Sequence, residues 1–377
     1  MPNIKRGMMG AAGVSGEGGT LWAWGRNPPY GQLGVGAVGN QSAPVQVGSE
    51  TNWTVACTGD NTNQYLNADG EVYGAGLNNH GNYGTGDVAT YWTPELMIDP
   101  PGGTIDFVDI FIGGYGGFGV ADNGTLWSWG DNGYGQLGNE TGTTVDVSSP
   151  IQVGSLTDWA KASGCQNSYR MIKTDGTLWG MGKNDEGQLG DGTVIHRSSP
   201  VQIGALTTWD SLPSGAYAHT LAIKTDNSLW ACGDAGQGRI GDGTDTHRSS
   251  PVQITGSWQS AAAGADFSVG IKTDGTLWTW GYSSVGQQGR GLGYSVDSSP
   301  IQVGALTTWE SCSALNQSAF AIKTDGTMWA WGANYNGALG DGTTIARSSP
   351  VQVGSATSWS SLAKSIGGDA MAAIQGG

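Results

Sequence analysis

The side chains in this sequence best suited to acid–base or metal chemistry are its four histidines, His80, His196, His219 and His247. Imidazole titrates near neutrality and is the commonest metal ligand. His196-Arg197 and His247-Arg248, however, occupy equivalent places in a repeat, and no serine or cysteine nucleophile motif accompanies them. Asp185, Glu186 and Asp191 crowd one loop, but their spacing departs from the calcium-loop pattern and suits ordinary Asp-Gly turn chemistry. Cys57, Cys165, Cys232 and Cys312 lie far apart without a CxxC pair, which points to small buried hydrophobes rather than zinc or disulfides. A phosphate-cradling GxxxxGK[ST] loop is absent. The sequence therefore predicts a protein that is not an enzyme and that needs no metal or cofactor.

What positions these residues is a repeated hairpin. Ile172 to Trp179 reads Ile-Lys-Thr-Asp-Gly-Thr-Leu-Trp; Ile271 to Trp278 and Ile322 to Trp329 repeat it, and Ile223 to Trp230 repeats it with Asp226-Asn227 at the turn. Asp-Gly between β-compatible runs predicts a tight type I′ hairpin. The hairpin arm recurs at Trp22, Tyr73, Trp127, Trp179, Trp230, Trp278 and Trp329, at separations of 51, 54, 52, 51, 48 and 51 residues. A Gly-x-x-Gly loop follows each arm, as at Gly187 to Gly190, and then comes a proline-led strand such as Ser199 to Ile203. Finally a tryptophan opens another strand, at Trp53, Trp159, Trp209, Trp258, Trp309 and Trp359, with Phe107 in the degenerate unit.

Four short strands in about 51 residues make a propeller blade. The expected architecture is all-β: a seven-bladed β-propeller of four-stranded blades over residues 19–377, preceded by a Gly-rich N-terminal arm, residues 1–18. The last unit ends after two strands and the first begins with the other two, so the N- and C-terminal strands should pair in one blade and leave no open edge. Sixty-seven glycines and 17 tryptophans fit tight turns feeding buried strands, and no apolar run is long enough to cross a membrane. A formal charge of −15 with 16 scattered Lys and Arg argues against nucleic acid and leaves room for a basic protein partner.

The run from Ala321 to Gly332, with Gly337-Ala-Leu-Gly-Asp-Gly-Thr and Ser348-Ser-Pro after it, resembles the repeat of the regulator-of-chromosome-condensation family. The resemblance covers residues 19–377 and implies a seven-bladed propeller. For function it implies several things, since similar repeats occur in nucleotide-exchange factors, a secreted β-lactamase inhibitor, a plant ultraviolet photoreceptor and uncharacterised bacterial and phage proteins. The photoreceptor's Gly-Trp-Arg-His-Thr motif is missing here, and the basic tail of the exchange factors is reduced to Lys5-Arg6.

Strand alternation places the Asp-Gly hairpins on one face of the ring and the variable loops on the other. The variable loops carry Tyr30, His80, Tyr83, Tyr115, Tyr134, Tyr217, His219, Phe267, Tyr282 and Tyr335, a set suited to recognising a protein or a cell-surface glycan. Ile4, Lys5, Arg6, Met8 and Met9 would anchor the arm on a partner such as a virion protein. The expected function is a structural or host-recognition propeller of a phage virion, or alternatively a cytoplasmic regulatory or inhibitory binding propeller, exchange-factor-like roles included.

Overall fold

Each hairpin is built from its own side chains. Asp175 Oδ1 accepts from the Thr177 backbone N–H at 2.9 Å and from the Thr177 hydroxyl at 2.7 Å, and the Trp179 indole N–H donates to Thr177 Oγ1 at 2.9 Å. Blades 4, 5 and 6 repeat this chain through Ser228, Thr276 and Thr327. The turn differs from the type I′ expectation. Gly176 N–H closes onto Lys173 O at 2.9 Å, and of Asp175 and Gly176 only the glycine has positive φ, 78°. This is a three-residue loop, a type I turn followed by a left-handed residue, because the Asp side chain holds its own backbone in the right-handed region. The glycine is also required by space: a Cβ there would lie 2.2 Å from Thr207 O.

The computed structural model describes residues 18–99, 103–139, 144–215 and 217–376. The arm residues Ile4, Lys5, Arg6, Met8 and Met9 lie outside them. Six blades are continuous in sequence: blade 1 (residues 53–96), blade 2 (107–152), blade 3 (159–202), blade 4 (209–254), blade 5 (258–302) and blade 6 (309–352). Blade 7 has the order 41–46, 20–25, 370–375, 359–362, so both ends of the chain close the ring as the sequence predicts. Thr20 pairs with Gln375 and Gly25 with Ala370 in one antiparallel register.

One element has no counterpart in the repeat. Blade 7 carries a longer connection between its first and second strands, and within it Lys364–Ser365 pairs in parallel with Cys57 and Thr58 of blade 1. The Lys364 ammonium bonds Asp109 of blade 2, and Ile366 packs with Phe111 and Tyr169 of blades 2 and 3. A segment of the closing blade thus crosses the axis and ties three other blades together.

Neighbouring blades are joined by a repeated latch. Trp24, Trp129, Trp280 and Trp331 are fully buried, and each donates its indole N–H to a carbonyl in the Gly-x-x-Gly loop of the preceding blade: Ala338, Asn82, Arg239 and Gln287, at 2.9–3.0 Å. The closing glycine of that loop makes room for the indole, since a Cβ on Gly241, Gly289 or Gly340 would lie 2.6, 2.8 or 2.7 Å from it. The opening glycine rests on the next blade's backbone, a Cβ on Gly286 lying 2.5 Å from Ser348 Cα. Further along, Gly291 N–H donates to Ser348 O at 2.6 Å.

Three seams depart from this pattern: Met181 and Ala75 hold the latch position between blades 2 and 3 and between blades 7 and 1, and the seam between blades 3 and 4 lacks the tryptophan as well. Cys232 stands where the latch tryptophan would be and makes only a 3.6 Å contact with Gln188 O. Arg170, 1% exposed, occupies the place of Phe118 or Phe320 in other blades, and its two terminal nitrogens have no hydrogen-bond partner. Pro213 follows shortly after the first strand of blade 4, which is only Trp209–Ser211.

Two outcomes follow. Deleting residues 370–377 removes the second strand of blade 7 and should lower the melting temperature far more than deleting residues 1–16; equal small losses would contradict the shared blade. Trp331→Phe leaves Gln287 O unpaired across a seam and should cost roughly 1–3 kcal/mol in chemical denaturation. Trp329→Phe, which keeps an aromatic ring beside Lys323 and gives up a hydrogen bond within its own turn, should cost less.

Candidate functional site

The face opposite the Asp-Gly hairpins is formed by short inner loops between first and second strands and long outer loops between third and fourth strands. Tyr335, 63% exposed, and Tyr134, 37% exposed, lie open on the outer loops, and Tyr30, His80, Tyr115, Tyr217 and Tyr282 are half-buried on this face. Tyr294, 71% exposed, belongs with them and is absent from the sequence-based set. Its place before the Ser-Ser-Pro strand, where other units carry Val194 or Val38, is the signal that could have found it.

Three residues of the predicted surface are core instead. Tyr83, His219 and Phe267 are 0% exposed. Tyr83 takes the apolar position of the Gly-x-x-Gly loop, where Leu189 and Leu339 stand elsewhere, and its ring fits because Gly74 beneath it has no side chain; a Cβ there would lie 2.4 Å from Cδ1 of Tyr83. His219 and Phe267 are the first residues of second strands, His219–Lys224 and Phe267–Lys272, which start earlier than the sequence pattern suggests. Gln64, at the same end of blade 1, is likewise buried inside a strand, Thr62–Asn67.

Several half-buried residues serve the seams between blades. In four seams the residue before the Gly-x-x-Gly loop meets the residue two before the first serine of the next blade's Ser-Ser-Pro or Ser-Ala-Pro strand, and these four pairs are chemically matched. His80 Nδ1 lies 2.6 Å from Asp146 Oδ2, the Tyr134 ring stands edge-on to His196 at 5.2 Å, and Glu186 meets His247 at 3.2 Å. Asn40 donates to Asn336 at 3.2 Å. His80 and Asp146 also lie with Asp131 within 4.8 Å of one another, the grouping of described residues with metal-ligating chemistry. Asp131 already accepts from Gly133 N–H and Gln136 Nε2, and Asp146 from Asn132 N–H. The Asp185, Glu186 and Asp191 loop is likewise internally bonded: Arg197 pairs with Asp191 at 2.6 Å and Lys183 with Asp185 at 3.2 Å.

The inner loops converge on the axis, and carboxylates gather there; Asp266 pairs with Arg239 at 2.7 Å and Asp369 accepts from Asn336 Nδ2 at 2.8 Å. Asp60 of blade 1, Asp266 of blade 5 and Asp369 of blade 7 surround Tyr217 of blade 4, with Asn316 of blade 6 beside it. Gly367, in the axial crossing, faces Asn316 Oδ1 and Asp60 Oδ1: a Cβ built on it would stand 2.9 and 3.1 Å from them. Burial, and then repulsion from Asp369, holds the Asp60 carboxyl above its usual range, with Arg26 opposing. The Tyr217 phenol is raised by burial and then by Asp60. These carboxylates were not singled out from the sequence because Asp-rich turns occur in every blade; only the fold separates the three that face the axis.

His219 sets an acid limit on the ring. Its Nε2 lies 2.8 Å from Ser268 Oγ, which itself donates to Arg239 O, so Nε2 carries the proton and the buried Nδ1 has no partner. Burial and then the Arg239 charge lower its pKa to about 3. Between that value and the unfolded value near 6.5 the unfolded chain binds a proton that the folded chain refuses. Stability present above pH 6.5 should therefore fall as pH drops toward 3, by up to about 1.4 kcal/mol per pH unit. His219→Gln should flatten the melting temperature against pH over this window; an unchanged profile would assign the acid sensitivity elsewhere.

Family models described as "Regulator of chromosome condensation (RCC1) repeat" match residues 123–167, 175–223, 226–271 and 325–372, and a second form of the repeat matches 107–136 and 258–287. The human E3 ubiquitin-protein ligase HERC2 is 28% identical over 346 residues, 88% of this chain but 7% of the ligase. The ultraviolet-B receptor UVR8 of Arabidopsis thaliana is 28% identical over 251 residues, 65% of this chain and 56% of the receptor. The chain thus spans less than two thirds of either relative. In structure, human WBSCR16 superposes with a TM-score of 0.84 at 19% identity, covering 95% of this chain and 98% of that one. Prp20p of Saccharomyces cerevisiae, whose binding to Gsp1p and histones has been characterised, gives 0.82 at 17% identity, covering 96% and 92%. With seven four-stranded blades closed in a ring and the repeat matched across more than half its length, this chain belongs to the regulator of chromosome condensation (RCC1) repeat family.

Proposed function

We propose that this chain is a non-catalytic, protein-binding propeller of the regulatory kind, and that a partner with a basic segment engages the axial mouth of its loop face. The observation that carries the reading is the convergence of Asp60, Asp266 and Asp369, from three blades, around Tyr217 and Asn316. The Asp60 carboxyl, partly buried and repelled by Asp369, is stabilised by an incoming ammonium or guanidinium group, and the tyrosine beside it adds contact area at low entropic cost. The overall charge of −15 favours encounter with a basic protein. Prp20p, similar in fold, binds histones and Gsp1p, which supports protein partners as the class. The relatives named above are proteins of animals, plants and yeast and none is a virion protein, so the regulatory reading is carried forward in place of the phage one.

The test compares the wild-type chain with an Asp60→Asn, Asp369→Asn, Tyr217→Ala variant, first for melting temperature and then for binding to core histones and a small GTPase. The variant should melt within a few degrees of wild type and bind at least tenfold more weakly, with affinity falling steeply as salt rises. Equal binding by the two proteins would move the interface off the axis. Stimulated nucleotide release from the GTPase would identify the exchange-factor form of this function.

A further inference from the structure

Four blades contain the same internal cation site on the hairpin face. Lys173, Lys224, Lys272 and Lys323, which end the second strands of blades 3 to 6, place their ammonium groups 3.5–4.5 Å from the ring centroid of the third-strand tryptophan and 4.8–5.3 Å from that of the first-strand tryptophan. The two rings meet edge to face in each blade, at 5.8–6.5 Å. An ammonium held between aromatic faces and largely out of water is a favourable cation–π arrangement.

Blade 1 keeps the aromatic walls and lacks the cation. Trp53 and Tyr73 stand edge to face at 5.3 Å, but the lysine position is Asn67, whose shorter side chain turns to Glu71 at 2.7 Å. A groove of about 390 Å³ opens there between blades 7 and 1, lined by Asn67, Tyr73, Trp53, Asn52 and Glu50. The matching groove between blades 4 and 5, lined by Lys272 and Trp278, measures about 240 Å³.

The charge changes in the same place. Glu50 replaces the aliphatic residue of the other crossings, Leu156, Leu206 or Leu306, and Glu71 replaces the turn hydroxyl, Thr177, Ser228, Thr276 or Thr327. Both carboxylates are exposed, and Glu71 Oε2 lies 3.0 Å from the Tyr73 hydroxyl. Relative to blades 4 to 6, this blade loses one positive charge and gains two negative ones around an aromatic pair; relative to blade 3 the gain is one, since Asn52 stands where blade 3 has Asp158. Blades 2 and 7 also lack the lysine, with Ala121 and Gln375, but keep Thr125 and Thr20 at the position of Glu71.

We propose that the groove lined by Trp53, Tyr73, Asn67 and Glu50, with Glu71 beside the Tyr73 hydroxyl, is a receptor for a lysine or arginine side chain of a partner protein, which inserts where the other blades hold their own lysine. The site lies on the face opposite the axial mouth and stands independently of the function proposed for that mouth. A partner cation gains ring contacts of the kind Lys272 makes, and Glu50 and Glu71 place more negative charge here than stands at the equivalent places of blades 4 to 6, so charge complementarity selects this groove. Trp53 also pairs with Gly19 through two backbone bonds of 2.9 and 3.1 Å, which fixes the wall before any ligand arrives.

Titration calorimetry with a pentalysine peptide tests this in the whole chain carrying Asp60→Asn, Asp369→Asn and Tyr217→Ala, so that the axial mouth, which also takes basic segments, does not contribute; the variants below are made in that background. Asn67→Lys supplies the missing ammonium from within and should both raise the melting temperature and weaken the peptide at least tenfold. Thr344→Lys, which adds the same charge at an exposed position elsewhere, should leave affinity within about twofold. Glu50→Gln with Glu71→Gln should also weaken binding at least tenfold, and this variant carries the test should Asn67→Lys fail to fold. Equal affinities for Asn67→Lys and Thr344→Lys, or no binding by the chain carrying the three axial substitutions alone, would overturn the proposal. So would a tenfold gain in affinity on replacing Lys5 and Arg6 by alanine, since the chain's own arm would then be the occupant.

Discussion

The structure depends on how one blade grips the next. A propeller blade is a small sheet with both sides needing cover, and burial between blades is non-directional, so it does not by itself fix the angle or height at which two blades meet. The indole of Trp24, Trp129, Trp280 or Trp331 supplies that direction. It is large enough to fill the seam and carries one donor that reaches a single carbonyl in the preceding Gly-x-x-Gly loop. The glycines of the loop are then explained twice over, by their left-handed backbone and by the lack of room for any Cβ between loop and indole.

Near-identical repeats carry a hazard, since a blade that fits one neighbour could fit another. The matched pairs at the outer seams answer it locally: His80 with Asp146, Tyr134 with His196, Glu186 with His247, Asn336 with Asn40. Exchanging two blades would bring unmatched groups together, an imidazole against an amide or a phenol against a carboxylate. The axial crossing acts in the same sense over a longer range, because Lys364 and Ile366 of blade 7 reach blades 1 to 3 only when the ring is closed in the right order.

The seam between blades 3 and 4 buries a charge whose terminal nitrogens have no partner. Arg170 without hydrogen-bond partners, Cys232 in place of a latch and a first strand cut short before Pro213 all meet between blades 3 and 4, and His219 is buried on the far side of blade 4. A buried guanidinium without partners is costly.

The sequence by itself determined the blade. Hairpin, Gly-x-x-Gly loop, proline-led strand and tryptophan-led strand are each written in residues a few positions apart, where turn chemistry and side-chain alternation act locally. Counting the recurrences determined seven blades and the pairing of the termini. The turn type was misread because the Asp side chain, rather than the glycine alone, governs the backbone there. Only the tertiary structure decided which variable residues face outward. His219 and Phe267 look like loop residues until the strand start is known, and Tyr83 looks exposed until Gly74 is seen beneath it. The axial carboxylates and the cation groove were decided at the same level, because Asp60, Asp266 and Asp369, like Glu50 and Glu71, come together through closure of the ring or through comparison of equivalent places in folded blades. Local sequence specifies what one blade is; charge and aromatic surface become sites only where several blades, set at fixed angles, share a single space.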